Sequence, residues 1–188
     1  MSLDHLAALA SLAARAATDL EPDVERYIAL VRRTLRSGGT LFFAGNGGSA
    51  AHAQHVATEY VVRYGAVSRP AARAMALSTD SSLITAAAND LGFATVFSRQ
   101  VEALGRSGDL LVLISTSGDS ANCLRAAEAA RTRGLATVGL LGADGGRLKG
   151  LVDVAIVVST DDTALAQEVQ LAIDHHVCAV IEGELEGR

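Results

Sequence analysis

The chain reads Leu41-Phe42-Phe43-Ala44-Gly45-Asn46-Gly47-Gly48-Ser49 and continues without a break into Ala50-Ala51-His52-Ala53-Gln54-His55-Val56-Ala57-Thr58-Glu59. Residues 41–44 form an apolar run of strand length, the turn that follows is rich in glycine, and the segment after Ser49 favours a helix. A strand, a glycine-rich turn and a helix in this order deliver backbone amides, a Ser hydroxyl, a His and a Glu to one place. This stretch therefore predicts a ligand site.

Apolar runs alternate with helical patterns along the rest of the chain. Further strands are predicted at 74–77, 110–114, 136–141 and 154–158. Helices are predicted over 3–20, 22–37, 49–63, 81–88, 94–105, 120–133 and 162–184, with a turn at 89–93 and a short helical turn near Leu148. The strands are continuously apolar, which is typical of a parallel sheet covered on both faces. The sequence thus predicts an α/β fold, a three-layer sandwich with a five-stranded parallel sheet.

Length and composition indicate one domain over residues 1–188, with N-terminal helices over 1–37 and an α/β core over 38–188. The net charge of −5 leaves no broad basic surface and disfavours nucleic acid as a partner. No apolar run is long enough to span a membrane, and the N-terminus does not resemble a secretory signal. We expect no membrane partner, a cytoplasmic location, and reduced core thiols at Cys123 and Cys178.

The two N-terminal helical segments have broad apolar faces. These faces either cover the sheet or pack against another subunit. The number of apolar positions favours a homo-oligomer, with the N-terminal helices and the long C-terminal helix taking part in subunit packing.

A second polar turn, Ser115-Thr116-Ser117-Gly118-Asp119-Ser120, follows the strand at 110–114. Its hydroxyls, its glycine and the positive end of the next helix suit a phosphate ester. The alternative is that Ser and Asp merely cap the helix, but the turn holds more hydroxyl residues than capping requires. Neither turn is a P-loop, since no lysine lies near it in the sequence, and the first turn does not complete the dinucleotide pattern. A nucleotide cofactor is therefore not expected.

Histidine and carboxylate side chains in two helical segments are candidates for catalysis. His55 and Glu59 are spaced i, i+4 about 6 Å apart, which suits a shared metal, a base beside an acid, or a plain surface pair. His52, one turn earlier, is expected to face solvent. Gln167 and His175 are separated by about 12 Å along the last helix, so they either just meet at one ion or line opposite ends of a sugar-sized cleft.

Several motifs, in order and correctly spaced, together resemble a known family. They are Gly45-Asn46-Gly47-Gly48-Ser49-Ala50-Ala51-x-Ala53-x-His55, Arg63-Tyr64, Ala88-Asn89-Asp90-x-Gly92-Phe93, Ile114-Ser115-Thr116-Ser117-Gly118-x-Ser120-x-Asn122 and Thr163-Ala164-x-x-Gln167-Glu168. Over residues 38–183 the chain resembles the sugar isomerase (SIS) domain of bacterial sedoheptulose-7-phosphate isomerases, also called phosphoheptose isomerases. The resemblance implies a SIS, flavodoxin-like fold. It also implies conversion of D-sedoheptulose 7-phosphate to D-glycero-D-manno-heptose 7-phosphate through an enediol, the first step of activated heptose biosynthesis.

The resemblance further implies roles for individual residues. Glu59 would move a proton between C1 and C2, and His175 would be the acid–base partner for the two oxygens. Zinc, one ion per subunit, would bind at His55, Glu59, Gln167 and His175. The substrate would contact Asn46, Gly47, Gly48, Ser49, Arg63, Asn89, Asp90, Ser115, Thr116, Ser117, Ser120 and Gln167. Members of the family are homotetramers whose active sites lie between subunits.

Three positions depart from the family pattern. Asp119 stands where Asn is usual, and a carboxylate there would repel a phosphate unless it points to solvent or caps the helix. His52 replaces a common Asp, and Leu165 replaces a frequent Arg. These departures concern the exact substrate more than the reaction class.

Two alternative functions are considered beside the phosphoheptose isomerase. One is a non-catalytic SIS module resembling the replication-initiator-associating proteins, which share the turns but lack the acid–base pair. The other is an isomerase of a different sugar phosphate. The presence of both Glu59 and His175 favours an enzyme.

Overall fold

The computed structural model describes residues 3–65 and 69–185, and helices and strands alternate along these ranges. Their order is α1 (Asp4–Asp19), α2 (Glu21–Arg36), β1 (Leu41–Gly45), α3 (Gly48–Val61), β2 (Ala74–Ala76), α4 (Ser81–Leu91), α5 (Ser98–Leu104), β3 (Leu110–Ser115), α6 (Ala121–Arg133), β4 (Ala136–Gly142), β5 (Val154–Val158) and α7 (Thr163–Leu185). Short 3-10 turns span Phe93–Thr95 and Arg147–Gly150. The α/β sandwich predicted from the sequence is confirmed.

The five strands form one parallel sheet in the order β2-β1-β3-β4-β5. β1 pairs with β3 from Leu41↔Leu110 to Gly45↔Ile114, so the carboxyl ends of the two strands finish at nearly the same level. The chain order reverses between β1 and β3, because β2 lies on one side of β1 and the later strands lie on the other. In open α/β sheets a reversal of this kind opens the crevice in which ligands bind.

Helices cover both faces of the sheet. Side chains of α2, α3 and α7 pack on one face with Phe43 and Val112, whereas side chains of α4, α5 and α6 pack on the other with Phe42 and Leu111. Successive residues of one strand therefore enter opposite cores, which is why the strands read as continuous apolar runs. Because Phe43 is fully buried, its truncation to Ala would cost about 3–5 kcal/mol of stability.

The segment between β2 and β3 differs from the sequence prediction. The predicted turn at 89–93 is wrong in part, because α4 continues to Leu91 and ends only at Gly92, which has a φ of 88°. Asp80 starts this helix as predicted, since its carboxylate accepts a hydrogen bond from the Leu83 amide at 2.9 Å. The predicted helix over 94–105 is divided into the 3-10 turn Phe93–Thr95 and the short α5.

The N-terminal helices pack on the C-terminal helix as well as on the sheet. Leu12 of α1 packs with Val169 of α7, while Tyr27 of α2 is fully buried in the main core. Cys123 and Cys178 are buried and unpaired, as predicted. Across residues 3–65 and 69–185, none of the helices has the length and apolar character that crossing a membrane requires.

Candidate active site

The turn after β1 (residues 45–49, the first turn) is linked across the crevice to the start of α6, which follows the turn after β3 (residues 115–120, the second turn). Asn46 Nδ2 donates to Asn122 Oδ1 at 2.9 Å, and Asn122 Nδ2 donates to Asn46 Oδ1 at 2.8 Å. Gly47 has a φ of 55°, a conformation that favours glycine. The paired amides hold the N-terminal ends of α3 and α6 together, so the free backbone amides of both helices meet at one place.

Hydrogen bonds within the second turn preform its shape. Ser115 Oγ accepts from the Gly118 amide at 3.1 Å, and Ser117 Oγ accepts from the Asp119 amide at 3.2 Å. Ser120 occupies the cap position of α6, but its side chain makes no capping hydrogen bond. The capping alternative therefore does not account for Ser120. Thr116 is half-buried and Ser117 is exposed, so hydroxyls as well as helix amides remain accessible to an anion.

Three of the candidate catalytic side chains lie together where α3 meets α7. His55 Nε2 lies 2.8 Å from His175 Nε2 and 3.6 Å from Glu59 Oε1. The side chain of His55 is 47% exposed and that of Glu59 is 16% exposed, so the carboxylate is the more sheltered group. The Tyr64 ring packs against His175 with ring centroids 5.5 Å apart. His55, Glu59 and His175 are called the His55 cluster below. It combines two imidazoles and one carboxylate, which are groups able to transfer protons or bind a metal.

Gln167 lies near the first turn rather than beside His175. A Cβ atom added to Gly48 would lie 2.9 Å from Gln167 Nε2, so the amide of Gln167 lies directly over this glycine. Gly48 and His55 are separated by about two turns of α3. Of the two arrangements considered from the sequence, the cleft with Gln167 and His175 at opposite ends agrees better with this placement. In the described part of the chain, no cluster of three or more His, Cys, Asp or Glu side chains is arranged to hold a metal ion.

Within residues 3–65 and 69–185, the hydrogen bonds of three other predicted substrate residues are local. Arg63 is exposed and donates to the Gly65 carbonyl at 3.4 Å. Asn89 and Asp90 are exposed near the end of α4, where Asn89 Nδ2 donates to Asp90 Oδ1 at 2.7 Å. Ser49 is buried beside Gly45 at the start of α3. The recorded hydrogen bonds of Arg63, Asn89 and Asp90 do not reach the His55 cluster.

A buried polar contact lies beneath the His55 cluster and was not predicted from the sequence. The expectation that His52 faces solvent is wrong, because its side chain is buried and its Nε2 lies 2.8 Å from Asp174 Oδ2. This contact is short but poorly aligned for a hydrogen bond. Tyr27 OH donates to Asp174 Oδ1 at 2.8 Å. Burial and the adjacent carboxylate raise the pKa of Tyr27 well above its ordinary value, so its hydroxyl stays protonated and remains a donor.

Glu182 of α7 orders the segment that follows α3. Its carboxylate accepts from the backbone amides of Tyr64 at 2.9 Å and Gly65 at 2.6 Å, and from Arg69 Nε at 2.9 Å. Arg69 also donates to the carbonyl of Glu59. These bonds connect α7 to the end of α3 that carries Glu59. A single Glu in an amphipathic helix offered no sequence signal for this role.

Asp119 neither caps α6 nor points freely into solvent. Its Oδ1 accepts from Arg147 Nε at 2.7 Å, and the two side chains are about half and two-thirds exposed. Hydrogen bonds from Arg147 lower the pKa of Asp119, so the carboxylate stays ionised beside the second turn. Of the two conditions expected from the sequence, capping does not hold, whereas exposure to solvent holds in part, and a neighbouring cation binds the carboxylate in addition. Arg147 was missed because it lies in a different loop.

The chain is similar to known proteins in both sequence and fold. The family model described as SIS domain matches residues 4–142. A phosphoheptose isomerase of Akkermansia muciniphila is 46% identical over 98% of the chain and 93% of its own length, and one of Bradyrhizobium sp. (strain BTAi1) is 50% identical over 96% and 92%. The structure of phosphoheptose isomerase GmhA from Neisseria gonorrhoeae superposes with a TM-score of 0.89, with 38% identity and 96% of both chains covered.

Proposed function

The chain belongs to the phosphoheptose isomerases, a family of SIS-domain proteins, and from this we propose that it converts D-sedoheptulose 7-phosphate to D-glycero-D-manno-heptose 7-phosphate. The reaction is an aldose–ketose isomerisation and supplies activated heptose biosynthesis. One observation carries the proposal. Glu59 and His175 are both present and meet at the His55 cluster, which a binding module would not need. The non-catalytic alternative is not favoured, because the relatives named above are isomerases.

Glu59 is proposed as the base that transfers the carbon-bound proton. Its carboxylate removes a proton from C1 of the ketose while His175 gives a proton to O2, which yields a cis-enediol. His175 then takes the proton from O1, and Glu59 returns its proton to C2, which leaves the aldehyde at C1 and the hydroxyl at C2. The sheltered position of Glu59, whose side chain is 16% exposed, supports this role, because it limits the access of bulk water to the reacting carbons.

The second turn is proposed to bind the phosphate through Ser115, Thr116, Ser117 and Ser120 together with the first amides of α6. Asn46, Gly47, Gly48, Ser49 and Gln167 would then contact the sugar chain at the first turn. The close approach of Gln167 to Gly48 supports placing Gln167 with the residues of the first turn. Arg63, Asn89 and Asp90 are proposed to act on the substrate bound by a neighbouring copy, because within one chain their hydrogen bonds stay local.

Zinc is proposed at His55, Glu59 and His175, with Gln167 as the fourth predicted ligand. The donor types fit zinc, but the three side chains are not arranged around one ion in this structure. Their distances of 2.8 Å and 3.6 Å from His55 Nε2 would have to adjust to the spacing of about 3.3 Å between ligands of a tetrahedral zinc. Gln167 fits less well, since it lies over Gly48 and an amide oxygen suits harder cations. A bound zinc would polarise the carbonyl and hydroxyl oxygens of the substrate. Glu59 would need a loose contact with the ion in order to act as the base.

A homotetramer in the cytoplasm is the proposed form of the protein. An open, largely apolar groove of about 430 Å³ lies between α1, α2 and α7, lined in part by Ala13, Val24, Val169 and Ile173. Leu3, which precedes α1, and Leu6, in its first turn, are further exposed apolar residues, 73% and 55% exposed respectively. Surfaces of this kind are typical of subunit contacts. Light scattering should give a mass four times the 19.3 kDa of one chain.

Replacement of Glu59 by Gln tests the central proposal. The amide keeps the shape of the side chain but cannot accept the C1 proton, so kcat for sedoheptulose 7-phosphate should fall by about 10²–10⁴-fold. The matched control is Glu128→Gln, an exposed position on α6 remote from α3, which should leave kcat unchanged. Undiminished turnover of Glu59→Gln would remove Glu59 as the base. If the wild-type protein binds the sugar phosphate without converting it, the binding alternative is the better one.

A further inference from the structure

Arg147, at the start of the 3-10 turn after β4, binds Asp119 of the second turn through three hydrogen bonds. Arg147 Nε donates to Asp119 Oδ1 at 2.7 Å, the Arg147 amide donates to the same oxygen at 3.3 Å, and Arg147 Nη2 donates to the Asp119 carbonyl at 3.2 Å. The contact therefore involves both the side chain and the backbone of each residue.

The loop that carries Arg147 is packed tightly against the second turn. The Leu148 amide donates to the Gly118 carbonyl at 3.0 Å, and the Leu148 side chain is fully buried. A Cβ atom on Gly146 would lie 2.6 Å from the Ser117 carbonyl, so only glycine allows this approach. The backbone on both sides of Arg147 is anchored to the second turn. This anchoring fixes the position of the Arg147 backbone beside Asp119, and the hydrogen bonds of the guanidinium then hold the side chain there.

The charge of Asp119 is a problem for an anion-binding turn. A phosphate monoester carries nearly two negative charges at neutral pH, and an ionised carboxylate in the same turn repels it. Burial cannot neutralise Asp119, since about half of its side chain is exposed. A guanidinium at hydrogen-bonding distance cancels most of the field that the carboxylate would impose on the turn.

We propose that Arg147 is a positioning residue for phosphate binding, which acts through Asp119 by cancelling the charge of that carboxylate and by fixing its direction away from the ligand. The inference rests on the proposed function, because it assumes that the second turn binds the substrate phosphate. Arg147 takes no part in proton transfer, so it affects the binding of phosphorylated sugar and leaves the chemical step alone.

A double-mutant cycle of Arg147→Gln and Asp119→Asn tests this coupling. At low ionic strength, Arg147→Gln should raise KM for the sugar phosphate about 3- to 10-fold with kcat unchanged, because it leaves an uncompensated carboxylate beside the dianion. In the Asp119→Asn background the same change should raise KM less than about 2-fold, since no charge remains to be cancelled. The increase in KM caused by Arg147→Gln should be smaller at 0.5 M NaCl, because the Debye length of about 4 Å there screens the repulsion between the carboxylate and the phosphate.

Arg99→Gln is the matched control, because it breaks an exposed ion pair of α5 with Glu102 and should leave KM unchanged. Thermal unfolding of each variant checks that the fold is retained. A KM for Arg147→Gln within about 2-fold of the wild type, or an equal loss in both backgrounds, would overturn the inference. Calorimetric titration with inorganic phosphate measures phosphate binding by the wild type and by Arg147→Gln without any turnover. It therefore tests the role of Arg147 separately from the proposed isomerase activity. Weaker phosphate binding by Arg147→Gln would then support the inference even if the wild type converts no sugar.

Discussion

His55 Nε2 and His175 Nε2 lie 2.8 Å apart although 120 positions separate them in the chain. The two imidazole rings are tilted by 60°, with centroids 5.1 Å apart. Two ring nitrogens at this distance either share one proton or are drawn together by a cation. The contact joins α3, which begins at the first turn, to α7, which carries Gln167 at its other end.

We expect the purified protein to contain zinc, and His55→Ala to reduce the zinc content severalfold. Imidazole nitrogen is a preferred zinc ligand, so loss of His55 removes one of the two nitrogen donors at the cluster. Elemental analysis of the wild type and of His55→Ala measures this directly. His5→Ala is the matched control, because His5 is exposed on α1 and pairs with Glu168, away from His55 and His175. Equal zinc in all three proteins, or none in the wild type, would argue against the proposed metal site.

Ser117→Ala should raise KM for the sugar phosphate about 10-fold and change kcat little. Ser117 is exposed in the second turn, and a hydrogen bond to a charged phosphate contributes about 1.5–3 kcal/mol. Steady-state kinetics with a range of substrate concentrations gives both constants. Ser107→Ala, in the exposed loop before β3, should leave them unchanged. An unaltered KM for Ser117→Ala would exclude the hydroxyl from phosphate binding.

Asp174→Ala should destabilise the fold by about 3–5 kcal/mol, because it leaves His52 and Tyr27 buried without their common partner. Urea unfolding followed by circular dichroism measures the free energy of unfolding. For comparison, Glu102→Ala breaks an exposed ion pair with Arg99 and should cost at most about 1 kcal/mol. Similar losses for the two variants would mean that the buried contact does not support the packing of α3 on α7.

Cys123 and Cys178 should resist alkylation by iodoacetamide at pH 8 until the protein is unfolded. Burial raises the pKa of each thiol from 9.0 to about 12, so almost no thiolate is present in the folded protein. The unfolded chain titrates first, and the associated stability is therefore complete below pH 9 and is lost as the pH rises towards 12. Mass spectrometry after timed alkylation measures the reaction. Rapid labelling of the native protein would show that the cores open readily.

Most of the fold could be predicted from local patterns. The strands were identified because five short segments are largely apolar, and the helix that follows β3 was bounded by Ser120 and Gly134. The region after β2 was harder, since residues 89–105 contain both helix-forming and turn-forming residues. There the backbone conformation of Gly92 decides where α4 ends, and this depends on how α4 and α5 pack on the sheet.

Residue type and spacing pointed to the two polar turns and to the His55–Glu59 pair, because helix periodicity sets which side chains share a face. The proton-transfer roles of Glu59 and His175 came from the resemblance to the family. The partners of those side chains required the tertiary structure. His52 was expected in solvent but contacts Asp174 of α7. Asp119 was expected to point to solvent or to cap the helix, but its carboxylate also binds Arg147 of the loop after β4. The physical reason is the same in both cases. A charged group is stabilised by whichever group the packing of distant elements brings within hydrogen-bonding distance, and no local sequence pattern records that contact.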